Sequence, residues 1–110
     1  MPQTFKVLGQ SNPTAFTNTT LYTVPAATQA VISTITISNA NTSTNANYSI
    51  AIRPAGESIA AKHYITNNNV VQSLDSIGLT LGLTLGNTDV VTVYASHSNV
   101  SFGIFGSEVT

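Results

Sequence analysis

Few residues in this chain could do chemistry, and nucleophilic hydrolysis is the first chemistry that their types suggest. The side chains of a Ser-His-Asp triad could come from Ser96 or Ser98, His63 or His97, and Asp75 or Asp89. Such catalysis needs a base held by a third group, beside an oxyanion site. No segment here resembles a nucleophile elbow, and serine is so abundant that chance pairings are expected. The sequence therefore favours surface polar residues beside turns over a hydrolase.

The sequence also gives little support for a metal site, a phosphate-binding loop or a catalytic pair of carboxylates. The two histidines lie far apart, cysteine is absent, and no His-x-x-x-His or Glu-x-x-His spacing occurs. His63 falls in a predicted strand and His97 follows a strand end, so we expect both to be interfacial or solvated. Only four acids could pair for glycoside cleavage, and Asp89 reads as a turn residue. No helix follows a glycine-rich loop. We predict a protein that is not an enzyme and has no metal or cofactor.

Scarcity of charge is the strongest compositional signal. Only seven of 110 residues are Lys, Arg, Asp or Glu, which is 6%, where an ordinary soluble domain has about 25%. About 40 positions are Ser, Thr or Asn instead, and these neutral polar groups cost little to bury when their hydrogen bonds are met. This composition indicates a surface covered by neighbouring proteins. The net charge of −1 offers no basic patch, which argues against nucleic-acid binding.

The elements that would position these residues are almost all strands. β-Branched and aromatic residues recur with period two, and Asn, Gly, Ser and Pro interrupt them every 8–12 residues. The predicted strands are Thr4–Gly9, Thr20–Val24, Gln29–Asn39, Tyr48–Arg53, Lys62–Thr66, Ile77–Leu85, Val90–Ser96 and Val100–Gly106, and a short strand at Val70–Ser73 could follow Lys62–Thr66. Pro54 should end its strand, a single helical turn could follow in Ala55–Ala60, and Asn67–Asn69 should form a turn. About eight strands without a helix predict an all-β antiparallel sandwich or jelly-roll-like fold.

The segment Ile77–Leu85 has the clearest alternation. Its leucines at 79, 81, 83 and 85 share one face, and Gly82 indicates a bulge or the close approach of another chain. Long uncharged strands carry an edge-pairing hazard, so an edge is either protected or filled by a partner strand.

One domain covering residues 1–110 is expected, with residues 1–19 as a candidate extended N-terminal arm. The N-terminus lacks the pattern of a signal peptide, and no 18-residue apolar window predicts a membrane span.

Alternation also assigns faces within two strands. In Gln29–Asn39, Val31, Ser33, Ile35 and Ile37 share one face, and Ile32 shares the other with neutral polar residues. In the last strand, Phe105 points outward. The candidate protein-contact residues are predicted to point outward from the sandwich, which places Val31 on the inner face of its strand: Phe5, Val7, Ile32, Tyr64 and Phe105.

Several segments, in order along nearly the whole chain, resemble small virion proteins of tailed bacteriophages, especially cyanobacterial and marine phages. These segments are Lys6–Gln10, Leu21–Ala26, Arg53–Gly56, Leu83–Gly86, Asp89–Ala95 and Ser101–Gly106. The resemblance implies a non-catalytic β-rich structural part of the particle, and it carries over no catalytic residue.

We therefore expect a capsid decoration (cement) protein that stabilises the head, located in the virion and assembled in the host bacterial cytoplasm. Its expected partners are other virion proteins, above all the major capsid protein, and further copies of itself, without nucleic acid or membrane. A tail, baseplate or fibre component is the alternative within this class. A host-surface glycan-binding module is the alternative outside it, although tryptophan is absent and the four tyrosines are spaced as strand residues.

Overall fold

The computed structural model describes residues 3–110, with the side chains of all of these except residues 3 and 81. The strands are β1 (Gln3–Ser11), β2 (Thr19–Thr23), β3 (Gln29–Asn39), β4 (Ala46–Arg53), β5 (Tyr64–Val71), β6 (Ser76–Leu85), β7 (Val90–Ala95) and β8 (Val100–Val109). Two single 3-10 turns, Pro54–Gly56 and Ala61–His63, are the only helical segments in the described part of the chain. The predicted all-β fold is confirmed, and Pro54 does end β4.

The strands form two four-stranded antiparallel sheets. The first sheet has the order β1-β8-β3-β6, and the second has the order β2-β7-β4-β5. Successive strands alternate between the two sheets, except that β4 and β5 follow each other in the second sheet. This strand order is that of an eight-stranded jelly roll, in which two sheets face each other across one core.

Isoleucine and valine fill the space between the sheets. The largest fully buried side chains include Ile32, Ile35 and Ile37 of β3, Ile50 of β4 and Ile104 of β8. Removing each of these from water stabilises the fold by about 1.5–3 kcal/mol. The β-branched residues that predicted strands thus also supply the core.

A bulge in β3 corrects one face assignment. The register of β3 against β8 shifts between Ile32 and Thr34, so Ser33 is an extra residue on β3. Because a bulge reverses the alternation of side chains, Ile32 and Ile35 both face the core. Ile32 is 0% exposed, and the expectation that it points outward was wrong. Val31, assigned to the inner face from the sequence, points outward instead.

A second irregularity lies in β6, as its glycine predicted. Ile32 pairs with Leu83 and Thr34 with Thr80, so β6 has one residue more than β3 between these pairs, at Gly82 or its neighbour. Leu79, Leu83 and Leu85 face the core. The predicted inward position of Leu81 concerns a side chain outside the described part of the structure.

β5 differs from its prediction in two ways. Asn67–Asn69 lie inside one continuous strand, because they form a bulge against β4 in which Asn68 has φ 59°. The Ser49 hydroxyl fixes this bulge, donating to Asn67 Oδ1 at 3.0 Å and accepting from Asn68 N at 2.9 Å. The predicted strand at Lys62 begins only at Tyr64, since a 3-10 turn precedes it.

The candidate N-terminal arm contains β1, which pairs with β8 from Gln3 to Ser11. In the single chain this strand therefore belongs to the first sheet, as an edge. No helix among the described residues is long and apolar enough to cross a membrane.

Candidate assembly surface

The outer face of the first sheet is built from four cross-strand rows. From β1 through β8 and β3 to β6, the rows are Phe5-Ser107-Val31-Thr84, Val7-Phe105-Thr34-Thr80, Gln10-Gly103-Thr36-Gly78 and, from β8 onward, Ser101-Ser38-Ser76. None of these fifteen residues is charged. The described outer face is therefore a continuous neutral surface across four strands.

Four apolar side chains lie together at one end of this face, and we name them the apolar corner: Phe5, Val7, Val31 and Phe105. Phe5 is 77% exposed, Val7 50% and Val31 39%, while Phe105 is half-buried. The pairing of Val7 with Phe105 and of both Phe5 and Val31 with Ser107 makes them neighbours. Exposed apolar clusters on a folded domain are typical of sites that contact proteins, membranes or ligands.

A groove of about 430 Å³ occupies the other end of the same face. Its walls carry the side chains of Gln10, Thr36, Ser38 and Ser101. Gly103 forms its floor next to the Phe105 ring, since a Cβ at this position would lie 3.1 Å from that ring and 2.8 Å from Thr36 Oγ1. The groove is therefore neutral and rich in hydroxyl groups, with one aromatic ring at its border.

The charged groups lie away from this face. Two of them, Lys6 and Glu108, form a cluster with Tyr22 at one end of the sandwich. Lys6 Nζ lies 2.8 Å from Glu108 Oε1, and the Tyr22 hydroxyl donates to Glu108 Oε2 at 2.5 Å. The hydrogen bonds from Lys6 and then Tyr22 hold the pKa of Glu108 below its ordinary value. Burial, followed by the bond to the Glu108 carboxylate, raises the pKa of Tyr22. This cluster joins β1, β2 and β8.

Two further charged residues stabilise connections. Arg53 donates from Nε to Thr92 Oγ1 at 3.0 Å and from Nη1 to the Glu57 carbonyl at 3.0 Å. Asp89 accepts from Ala55 N at 2.9 Å and from Gly86 N at 2.8 Å. Both residues hold turns in place, and the prediction of Asp89 as a turn residue is confirmed.

His63 is buried within the chain, so the expectation of an interfacial or solvated ring was wrong. Its Nδ1 accepts from Ala60 N at 3.0 Å, which leaves Nε2 to donate to Glu57 Oε1 at 3.2 Å. Lys62 Nζ lies 3.9 Å from the same carboxylate oxygen, in an exposed pair. Glu57 and His63 close the loop between β4 and β5, a contact that no sequence pattern indicated.

The structure does not bring the residues of the candidate Ser-His-Asp triad together. The nearest partner of His97 Nε2 is the Asn41 amide nitrogen at 2.9 Å. Ser96 Oγ accepts from Asn47 N, and Asp75 Oδ1 accepts from Ser76 N. No group of three or more potential metal ligands occurs among the described residues.

The five predicted contact residues separate into three groups. Phe5, Val7 and Phe105 meet in the apolar corner, Ile32 lies in the core, and Tyr64 is half-buried on β5 of the other sheet. Val31 completes the corner and was missed, because the alternation counted through Ser33 without a bulge assigns it inward. The Ser33 bulge has no sequence signal of the kind that Gly82 gave.

No protein-family model matches this chain, and no curated protein matches it in sequence.

Proposed function

We propose that this chain is a non-catalytic structural protein of a bacteriophage virion, a capsid decoration protein that docks on the shell through the outer face of its first sheet. The observation that carries the proposal is that face: fifteen neutral residues with the apolar corner at one end. The resemblance of ordered segments to phage virion proteins supports the class of particle. Jelly rolls also occur in viral capsid domains, which is support by analogy of fold alone.

The chemistry of the face suits a contact that is repeated many times. Neutral hydroxyl and amide groups lose little on leaving water when a partner satisfies them, whereas a buried unpaired charge is costly. Apolar side chains supply the net gain, at about 25 cal/mol for each Å² of apolar surface buried. Many moderate contacts with a closed shell then stabilise the shell as a whole.

Particle occupancy tests this proposal when two matched double variants are compared. Val7→Ser with Val31→Ser removes two exposed β-branched side chains from the apolar corner. Val70→Ser with Ile65→Ser removes two of equal exposure, 52% and 40%, from β5 in the other sheet. Burying the exposed half of one valine side chain contributes about 1 kcal/mol to binding. The corner variant loses two such side chains, so it should bind the shell roughly 30-fold more weakly. The β5 variant should bind like the original chain.

Cryo-electron microscopy of the particles gives the readout, with unfolding midpoints of both variants measured as a control for folding. Density for the chain on the head that is lost only with the corner variant supports the proposal. Equal loss with both variants overturns the assigned face. Density found only on the tail, baseplate or fibres overturns decoration of the head and supports the alternative virion role.

A second candidate function, glycan binding, is favoured by the groove. The side chains of Gln10, Thr36 and Ser101 offer neutral hydrogen-bonding groups around it, and the Phe105 ring offers an apolar surface at its border. Lectin domains also use jelly rolls. A glycan array probed with the purified chain and with Phe105→Ser tests this function: signal lost in the variant supports it, and a flat array for the original chain refutes it.

A further inference from the structure

The two sheets have four edge strands, β1 and β6 in the first and β2 and β5 in the second. Native sheets protect such edges with charge, bulges, proline or short length. β1 carries Lys6 and a register shift at Leu8. β2 has five residues and a register shift at Leu21. β5 is interrupted by the bulge at Asn68.

β6 is the exception among these edges. It extends over ten residues, Ser76–Leu85, without a charged residue or a proline. Its only irregularity lies between Thr80 and Leu83, and Ser76–Thr80 pair with β3 without interruption. A regular, uncharged stretch of edge is a template for another strand.

The sequence of this regular stretch identifies the strand that fits it. Ser76–Thr80 reads Ser-Ile-Gly-Leu-Thr, which is symmetric in residue type about Gly78. In an antiparallel pair centred there, Gly78 faces Gly78 of a second copy, Ile77 faces Leu79, and Ser76 faces Thr80. Small polar residues then meet on the outer face and branched apolar residues on the inner face, as favourable cross-strand pairs require.

We propose that two copies of this chain associate through β6, antiparallel about a two-fold axis at Gly78, to form one continuous eight-stranded sheet. The arrangement is isologous, so it closes as a dimer and leaves no regular stretch of β6 unpaired. Ile77 and Leu79, half-buried at the open side of the sandwich, gain cover from the same residues of the second copy.

Space at the axis permits this approach. A Cβ added to Gly78 would meet no atom within 4 Å, so no described residue covers the outer face of the edge at this position. The dimer also places the two neutral outer faces side by side as one surface. This inference goes beyond the proposed function and does not depend on it, since it concerns only the chain and its own copy.

Single-cysteine variants test both the association and its register, because the chain has no cysteine. Directly opposed residues in an antiparallel pair have Cα atoms about 4.5–5.5 Å apart, within reach of a disulfide. Gly78→Cys should therefore form a disulfide-linked dimer under mild oxidation. Gly82→Cys is the matched control, because its side chain also has open space. In the proposed register, Gly82 of one copy is offset by eight residues along the strand from Gly82 of the second copy, which is roughly 27 Å.

Non-reducing electrophoresis should show at least tenfold more dimer for Gly78→Cys than for Gly82→Cys. Equal yields, or more dimer from Gly82→Cys, overturn the register. Sedimentation of the original chain should show mass rising from monomer to dimer with concentration. Thr80→Lys should abolish this rise, and Thr23→Lys on β2 should not. A mass that stays that of a monomer at every concentration overturns the association itself. These measurements use the purified chain alone, so their outcome leaves the proposed docking to the shell untouched.

Discussion

Alanine replacements at Ile32 and at Val31 distinguish the two ways in which β3 could present its side chains. Strict alternation through Ser33 places Val31 with Ile35 and Ile37 in the core and Ile32 outside. The bulge places Ile32 in the core, at 0% exposure, and Val31 outside, at 39%. The two arrangements predict opposite orders of stability for the same pair of variants.

The size of the expected difference follows from burial. Ile32 is fully buried between the sheets, so Ile32→Ala removes three carbons from the core and should cost about 2–5 kcal/mol of unfolding free energy. Val31→Ala removes a partly exposed group from the outer face and should cost less than about 1 kcal/mol. In a domain of this size the first change lowers the melting temperature by roughly 10–30 °C.

Urea unfolding of both variants, followed by circular dichroism, provides the measurement. The slope of free energy against urea should stay the same, so that a changed midpoint reports stability alone. If Val31→Ala costs as much as Ile32→Ala or more, the bulge at Ser33 is refuted. The apolar corner would then lose one of its four members.

Two further predictions concern close packing and pH. Gly106→Ala should destabilise the fold by about 1–3 kcal/mol, because a Cβ there would lie 2.0 Å from a β3 carbonyl oxygen. The open position Gly78 is the control, since Gly78→Ala should leave the urea midpoint nearly unchanged. Glu108 has a folded-state pKa lowered by Lys6 and Tyr22, so its contribution is present above the unfolded pKa and is lost as pH falls through the folded value. The stability difference between the original chain and Glu108→Gln should therefore be largest near neutral pH and shrink below pH of about 4; a difference that is constant with pH would contradict this assignment.

The sequence predicts the strands well because each one depends on local signals. Alternation identified β3, β6 and β8, and Pro54 marked the end of β4. β5 was divided in two because three consecutive asparagines favour left-handed backbone, which Asn68 does adopt. Left-handed backbone serves a turn or a bulge equally well, and only the pairing with β4 decides between them.

The candidate surface was predictable only in part, because its members come together through register. Phe5, Val7 and Phe105 each look like outward residues of their own strands. Their meeting depends on β1 pairing with β8, two strands at opposite ends of the chain. The groove floor at Gly103 depends on the same register and on β3 beside it. Predicting the apolar corner or the groove requires the order of the strands in the sheet, and the alternation of residues within one strand does not reveal that order.

The positions of the seven charged residues explain how this chain uses so little charge. Charges commonly keep sheet edges and faces apart, but here five of them hold ends or turns: Lys6 and Glu108, Arg53, Asp75 and Asp89. Edge protection comes from bulges and short length on β1, β2 and β5, and from Lys6 on β1. Because bulges act locally, they leave the regular half of β6 and the neutral outer face without protection. A chain that protects three edges with a single charge among them has other means to protect the fourth, so the open stretch around Gly78 is best explained as a contact for a second copy.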